Sequence, residues 1–379
     1  MPYWRLASYY FFYFGSLGAL VPYWGLYLQE RGFSPLAIGQ LVAILMATKI
    51  VAPNLWGWLA DRRGYRMPIV RLATLLSTIC FTAIFVADGF VEMALVMVLF
   101  SFFWNASLPQ VEAVTFSHLG ERVNRYASIR LWGSIGFILS VGLLGLGLQH
   151  LGTSVVPMVV LVLYCGIWVS SLLVPEGPMR WGETPSPSVM ALLRRPEILA
   201  FLATGLLMQM SHGAYYAFYS IHLKAAGYAT PVVGALWAWA VVVEVLVFLV
   251  MHRLLEAFGA RRVLLASVAL AVLRWLLIAG FTDLIAVQVL AQAMHAATFG
   301  AFHAAAIHLA YHYFPGRTQG RGQALYNSLS FGAGGAAGAL LCGYLWSAFG
   351  AAPTFAVSAG IAVLAWWLAW FWVDRARRY

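Results

Sequence analysis

Gly57-Trp58-Leu59-Ala60-Asp61-Arg62-Arg63-Gly64-Tyr65-Arg66 is a polar turn that closes one apolar run and opens the next. A related turn, Glu256-Ala257-Phe258-Gly259-Ala260-Arg261-Arg262, lies 195 residues further on. The same offset sets Asp61 on Glu256, Gly64 on Gly259 and Arg66 on Arg261. It also sets Gly32 on Gly227 and Gly39 on Gly234. One fixed offset across so many positions marks an internal repeat, and parallel repeats are an architecture of alternating-access membrane proteins.

Outward from these turns the chain is overwhelmingly apolar. Hydrophobic residues make up 62% and charged residues 9%, against about 25% charged in soluble domains. A bilayer span takes roughly 20 apolar residues. Twelve segments qualify: 4–28, 36–60, 68–87, 91–117, 125–149, 154–174, 198–223, 232–256, 262–282, 284–312, 320–348 and 352–373. The expected fold is an all-α membrane protein, with 12 transmembrane helices in two pseudo-symmetric six-helix bundles. The longest polar connection divides them, giving an N-terminal bundle over 1–174, a cytoplasmic linker over 175–197 and a C-terminal bundle over 198–379. No cleavable signal peptide is evident, and the first span is expected to act as its own insertion signal.

The net charge of +10 invites a nucleic-acid reading, but its distribution argues against one. With both termini inside, the 23 lysines and arginines divide as 18 cytoplasmic, two external (Arg31 and Lys224) and three within spans (Lys49, Arg130 and Arg274). This is the positive-inside pattern of an inner-membrane protein, whereas a nucleic-acid footprint is a clustered patch. Cys80, Cys165 and Cys342 all fall in spans, in no metal or redox spacing. His308 and His312 have i, i+4 spacing but lack the further ligands a metal site requires. No metal and no cofactor are expected.

Ionisable residues inside the hydrocarbon are costly and mark substrate or ion paths. Glu112 and Arg130 flank a turn whose midpoint is Glu121, so a helical hairpin brings them to one depth. Glu244 and Arg274 mirror about Gly259 in the same way. Each pair reads either as substrate or proton machinery or as a static ion pair between helices. The 195-residue offset sets Lys49 on Glu244, each near the middle of the second span of its half. His212 belongs to a polar stripe with Gln209, Tyr216 and Tyr219, while His295 and His303 lie in the tenth span. Histidine suits proton relay, although a satisfied core histidine is the ordinary alternative.

These residues resemble the major facilitator superfamily. The segment Gly57 to Arg66 is similar to its cytoplasmic loop motif between spans two and three, and Glu256–Arg262 resembles the degenerate second copy. A closer resemblance, to the branch of lactose permease and the phenylpropionate permeases, runs over nearly the whole chain. Tyr13-Phe14, Gly18-Ala19 and Pro22 look like the first span of that branch. Pro109-Gln110-Val111-Glu112 and Arg130-Leu131-Trp132-Gly133 look like its substrate-binding Glu and Arg. The resemblance implies that Phe137 stands where a Trp stacks on the sugar and that His212 replaces a Tyr. It also implies that Glu244, Arg274 and His295 match binding and coupling residues. Gln292 and Thr298 replace a Lys and the proton-carrying Glu, and Lys49 is an added cation.

The function expected is therefore transport rather than enzymatic catalysis. The combined reading is a monomeric, proton-coupled symporter of a small, aromatic carboxylate. Lys49, Glu112, Arg130, Phe137, His212 and Glu244 would bind substrate. Glu244, Arg274, His295 and His303 would couple protons, and Asp61, Arg62 and Arg66 would form a cytoplasmic gate. The alternative is a proton-coupled sugar or nucleoside symporter, in which Glu112 and Arg130 bind hydroxyls. The partners are then a small anionic or sugar-like substrate, protons and the lipid bilayer.

Overall fold

The computed structural model describes residues 1–122, 125–177, 189–316 and 318–374. The middle of the expected linker, 178–188, lies outside the described residues. The described chain is helical almost throughout and contains no strand. The helices of the first half are α1 (Tyr3–Glu30), α2 (Pro35–Arg63), α3 (Met67–Thr82), α4 (Phe90–Leu119), α5 (Tyr126–Leu151) and α6 (Val156–Leu173). After a single helical turn at Val189–Leu192 come α7 (Pro196–Ser211), α8 (Gly213–Ala225), α9 (Thr230–Gly280), α10 (Ile285–Ala293), α11 (Phe302–Tyr313), α12 (Thr318–Asn327), α13 (Gly335–Phe349) and α14 (Ala351–Trp372).

Among the described residues, nine helical stretches are long and apolar enough to cross a membrane. Helix α1, with its six tyrosines, is not among them, nor are α7 and α8, which divide the expected seventh span between them. Helix α9 runs for 51 residues but has non-helical backbone at Gly259 (φ 76°, ψ 154°). At about 1.5 Å per residue it is far longer than one span, and Gly259 divides it where the sequence repeat predicts a turn. Large apolar side chains such as Leu143, Val86 and Leu249 are well exposed, as a lipid-facing surface requires.

The repeat reappears in the backbone. Gly64 and Gly259 both have φ of 76°, and Gly32 and Gly227 have φ of 83° and 89°. Only glycine adopts such angles without steric cost, so the spacing of turns is written into both halves. Helix α2 starts where Ser34 accepts the Ala37 N–H at 3.2 Å and Pro35 opens the first turn. It ends where Gly64 donates its N–H to Ala60.

The chain divides into two compact units. One comprises Met1–Gly182 with Tyr219–Ala238, the other Glu183–Phe218 with Trp239–Tyr379. Within the first, α1 and α5 meet backbone to backbone through small residues. A Cβ at Gly18 would stand 2.5 Å from the Phe137 carbonyl oxygen, and one at Gly136 would overlap the Phe11 carbonyl. Within the second, Gly334 faces Leu206 and Gly338 faces Met210 and Gly213, in the same close manner. Lipid and apolar side chains are equally greasy, so helices in a bilayer associate by such close packing rather than by hydrophobic exclusion.

Candidate functional site

In the first unit Glu112 on α4 and Arg130 on α5 are both half-buried, yet no ion pair within 4.0 Å joins them among the described residues. Tyr126 donates its hydroxyl to Glu112 Oε1 at 3.2 Å. The Arg130 guanidinium lies over the Phe14 ring, 3.5 Å from its centroid. Phe14 in turn stacks on Tyr10, which meets Tyr126 edge-on. Phe137, the expected stacking ring, is half-buried on α5, and its backbone packs on Gly18. On α2, Lys49 is half-buried and donates to the Met46 sulfur at 3.4 Å. Beside it Asn105 donates to Thr48 Oγ1 at 2.9 Å, and Thr48 is 2.9 Å from the Ser101 hydroxyl.

The expected gate residues lie in the same unit, Asp61 and Arg62 at the end of α2 and Arg66 at the start of α3. Arg66 donates to Asp61 at 2.5 Å and to the Gln110 side chain on α4. Glu176, beyond α6, accepts the backbone N–H groups of Arg66 and Met67 at 3.1 and 2.8 Å. A carboxylate there satisfies orphan donors at the start of α3 and complements its dipole. Arg62 lies over the exposed Trp58 ring at 5.5 Å, and the ion pair at Asp61 is made by Arg66.

In the second unit Glu244 and Arg274 are joined through a third residue. His295 Nε2 is 3.5 Å from Glu244 Oε2, and its Nδ1 is 3.1 Å from Arg274 Nη1. A guanidinium only donates, so His295 Nδ1 accepts and its N–H lies on Nε2, toward Glu244. Arg274 is wholly buried (0% exposed). It also donates to the Ala291 carbonyl (2.8 Å), Thr298 Oγ1 (3.0 Å) and, at 3.5 Å, Gln292 Oε1. Its guanidinium stacks on Tyr215 at 4.2 Å, and Tyr215 donates to Gln292 at 2.9 Å. Gly300 leaves the room that the Glu244 side chain fills.

The backbone is irregular at this centre. Residues Ala296–Ala301 and Ser328–Gly334 are π-helical, a form concentrated at functional sites. Helix α7 stops at Ser211, with His212 at its end, and α8 begins at Gly213. His212 donates Nδ1–H to the Met208 carbonyl at 2.8 Å and meets Trp275 edge-on at 4.8 Å. His303 lies further along the tenth span, with Phe299 stacked between it and His295. Phe331 and Tyr326 flank it.

Residues 3–357 match the MFS_1 like family. This chain belongs to that family. It is similar to the "Probable 3-phenylpropionic acid transporter" of Escherichia coli (strain K12), at 30% identity over 91% of each chain. It is also similar to the maltose permease of Geobacillus stearothermophilus, at 28% identity over 89% of this chain and 86% of the relative. Its fold matches a mutant of the nucleoside transporter NupG, with a TM-score of 0.87 at 17% identity, covering 98% of this chain and 99% of the other. A bacterial homolog of the human lysosomal transporter Spinster also matches, with a TM-score of 0.76 at 12% identity, over 97% and 95% of the two chains. A member of this family with these relatives is a multi-pass membrane protein and a secondary transporter, not an enzyme.

Sequence reasoning missed Phe14, Tyr126, Gln110, Glu176 and Tyr215. Phe14 entered only as part of the first-span resemblance, since no residue of the aromatic run Tyr9 to Phe14 stands out as a partner for Arg130. Gln292 and Thr298 stood out only as replacements for charged residues, and here they are acceptors for Arg274.

Proposed function

We propose that the protein is a proton-coupled symporter of a small aromatic carboxylate, working by alternating access. The observation that carries this reading is the cation in the first unit. Arg130 rests on an aromatic face while Glu112 is held by a tyrosine, so the guanidinium fork is available to a carboxylate. Lys49 adds a second cation, and across the spans Lys49, Arg130 and Arg274 outnumber Glu112 and Glu244. The relative named for 3-phenylpropionic acid supports the same class. Phe137 would stack on the substrate ring, and His212 and Glu244 are assigned to substrate binding as well.

Proton coupling is assigned to Glu244, His295 and Arg274, with His303 further along the same helix. The chemistry is a matter of donors. A proton added at His295 Nδ1 would point at an Arg274 N–H, so protonation and the Arg274 contact exclude each other. A carboxyl and an imidazole that exchange a partner in this way suit a carrier that must load and release a proton. Asp61, Arg62 and Arg66 would control the cytoplasmic side. Twelve spans, bundles over 1–174 and 198–379 joined by 175–197, cytoplasmic termini, an inner-membrane location and a monomer complete the proposal.

A sugar or nucleoside substrate is the second reading, favoured by the maltose permease relative. One experiment separates the two. Labelled 3-phenylpropionate is offered to proteoliposomes with and without an inward proton gradient, for wild type and Arg130→Ala. Gradient-driven uptake that is lost in the variant is the expected result. No uptake by folded protein under either condition would remove the aromatic acid and favour sugars and nucleosides.

A further inference from the structure

The contacts around Arg130 assign a role to a side chain outside the charged set. Phe14 on α1 presents its ring to the guanidinium at 3.5 Å, closer than an ordinary cation–π contact of up to about 6 Å. Gly133, nearly one turn on from Arg130, makes this possible. A Cβ there would stand 2.7 Å from Arg130 Nη1 and 2.7 Å from the Phe14 ring. Phe14 also stacks with Tyr10, 6.5 Å between centroids and 12° from parallel. Tyr10 is fixed by its hydroxyl, 3.2 Å from Thr115 Oγ1. Tyr10 also meets Tyr126, whose own ring stacks on Phe116 at 4.6 Å and whose hydroxyl holds Glu112. A continuous aromatic bracket thus has Arg130 at one end and Glu112 at the other.

Two opposite charges in a low-dielectric setting attract strongly, so something must hold them apart. We infer that Phe14, seated in the notch left by Gly133, is a positioning residue that keeps Arg130 from closing on Glu112 and leaves it open to a substrate carboxylate. The inference rests on the carboxylate reading only in its last clause. Without the ring, Arg130 falls onto Glu112 and the site loses its free cation.

The test needs no substrate. Purified protein is treated with phenylglyoxal, and the labelling rate of Arg130 relative to the exposed Arg5 is read by peptide mass spectrometry. In Phe14→Leu the ratio is expected to fall about fivefold, the scale of a partly buried cation–π contact, because the guanidinium is now paired. In Phe14→Leu/Glu112→Gln the ratio returns to the wild-type value or above it. Phe14→Tyr, which keeps the ring, labels like wild type. Gly133→Ala keeps every side chain of the bracket and displaces the stack, so it reads the same fall if the Leu variant is not monodisperse. Labelling of Phe14→Leu at or above the wild-type rate would overturn the inference, and so would a fall that the Glu112→Gln change does not reverse. Protection of wild-type Arg130 by 3-phenylpropionate is scored separately, so failure of the carboxylate reading is distinguishable from failure of the bracket.

Discussion

The charged centres of the two halves start from the same plan, an acid and an arginine mirrored about a turn, and end differently. In the first unit Glu112 and Arg130 have separate neutral partners, Tyr126 and Phe14, and both side chains stay partly accessible. In the second, Glu244 and Arg274 are threaded through His295, and Arg274 is sealed by Thr298, Gln292, Tyr215 and a backbone carbonyl. Charges held apart and accessible suit a ligand that brings its own counter-charge. Charges joined through an imidazole, with the arginine fully buried, suit a proton. The repeat thus supplies one scaffold twice, and the neighbours of each pair divide the labour.

Four substitutions break or sharpen that contrast. Arg130→Ala removes the accessible cation, and 3-phenylpropionate uptake should fall about 100-fold, the scale of two charge-assisted hydrogen bonds. His295→Gln cuts the string in the second unit. Accumulation against a gradient should drop about tenfold, to the level of equilibration, because the positioned proton-transfer group is lost. Lys49→Ala should raise KM for the carboxylate about fivefold, as expected for one partly screened charge, and leave any uncharged substrate unaffected. An equal effect on both substrate types would detach Lys49 from carboxylate recognition. Glu176→Ala lies outside both centres. It should lower stability by about 1 kcal/mol through loss of the α3 N-terminal acceptor, measured as a shift in thermal unfolding, with KM unchanged.

Much of the fold was legible because its determinants are local. Apolar runs of span length and glycines at turn positions are sequence features, and Gly64 and Gly259 adopt the backbone angles that the repeat implies. The break at His212 and the π-helical stretches gave no such signal, since the expected spans run through them without a proline. The site was half legible for a related reason. Mirroring about a turn fixes how deep a residue lies but not which way it faces around its helix. The expected pair Glu112 and Arg130 therefore came out unpaired, with Phe14 from α1 and Tyr126 taking the partners' places. For Glu244 and Arg274 the interposed His295 arrives from a third helix, which a two-helix argument could not supply.

The division of labour is tested most directly by counterflow. Proteoliposomes preloaded with unlabelled 3-phenylpropionate exchange it for external label without net proton movement, so binding and translocation are read apart from coupling. His295→Gln is predicted to retain counterflow while losing gradient-driven accumulation, and Arg130→Ala to lose both. Equal loss of counterflow in the two variants would contradict the assignment of the substrate carboxylate to Arg130 and of proton coupling to His295.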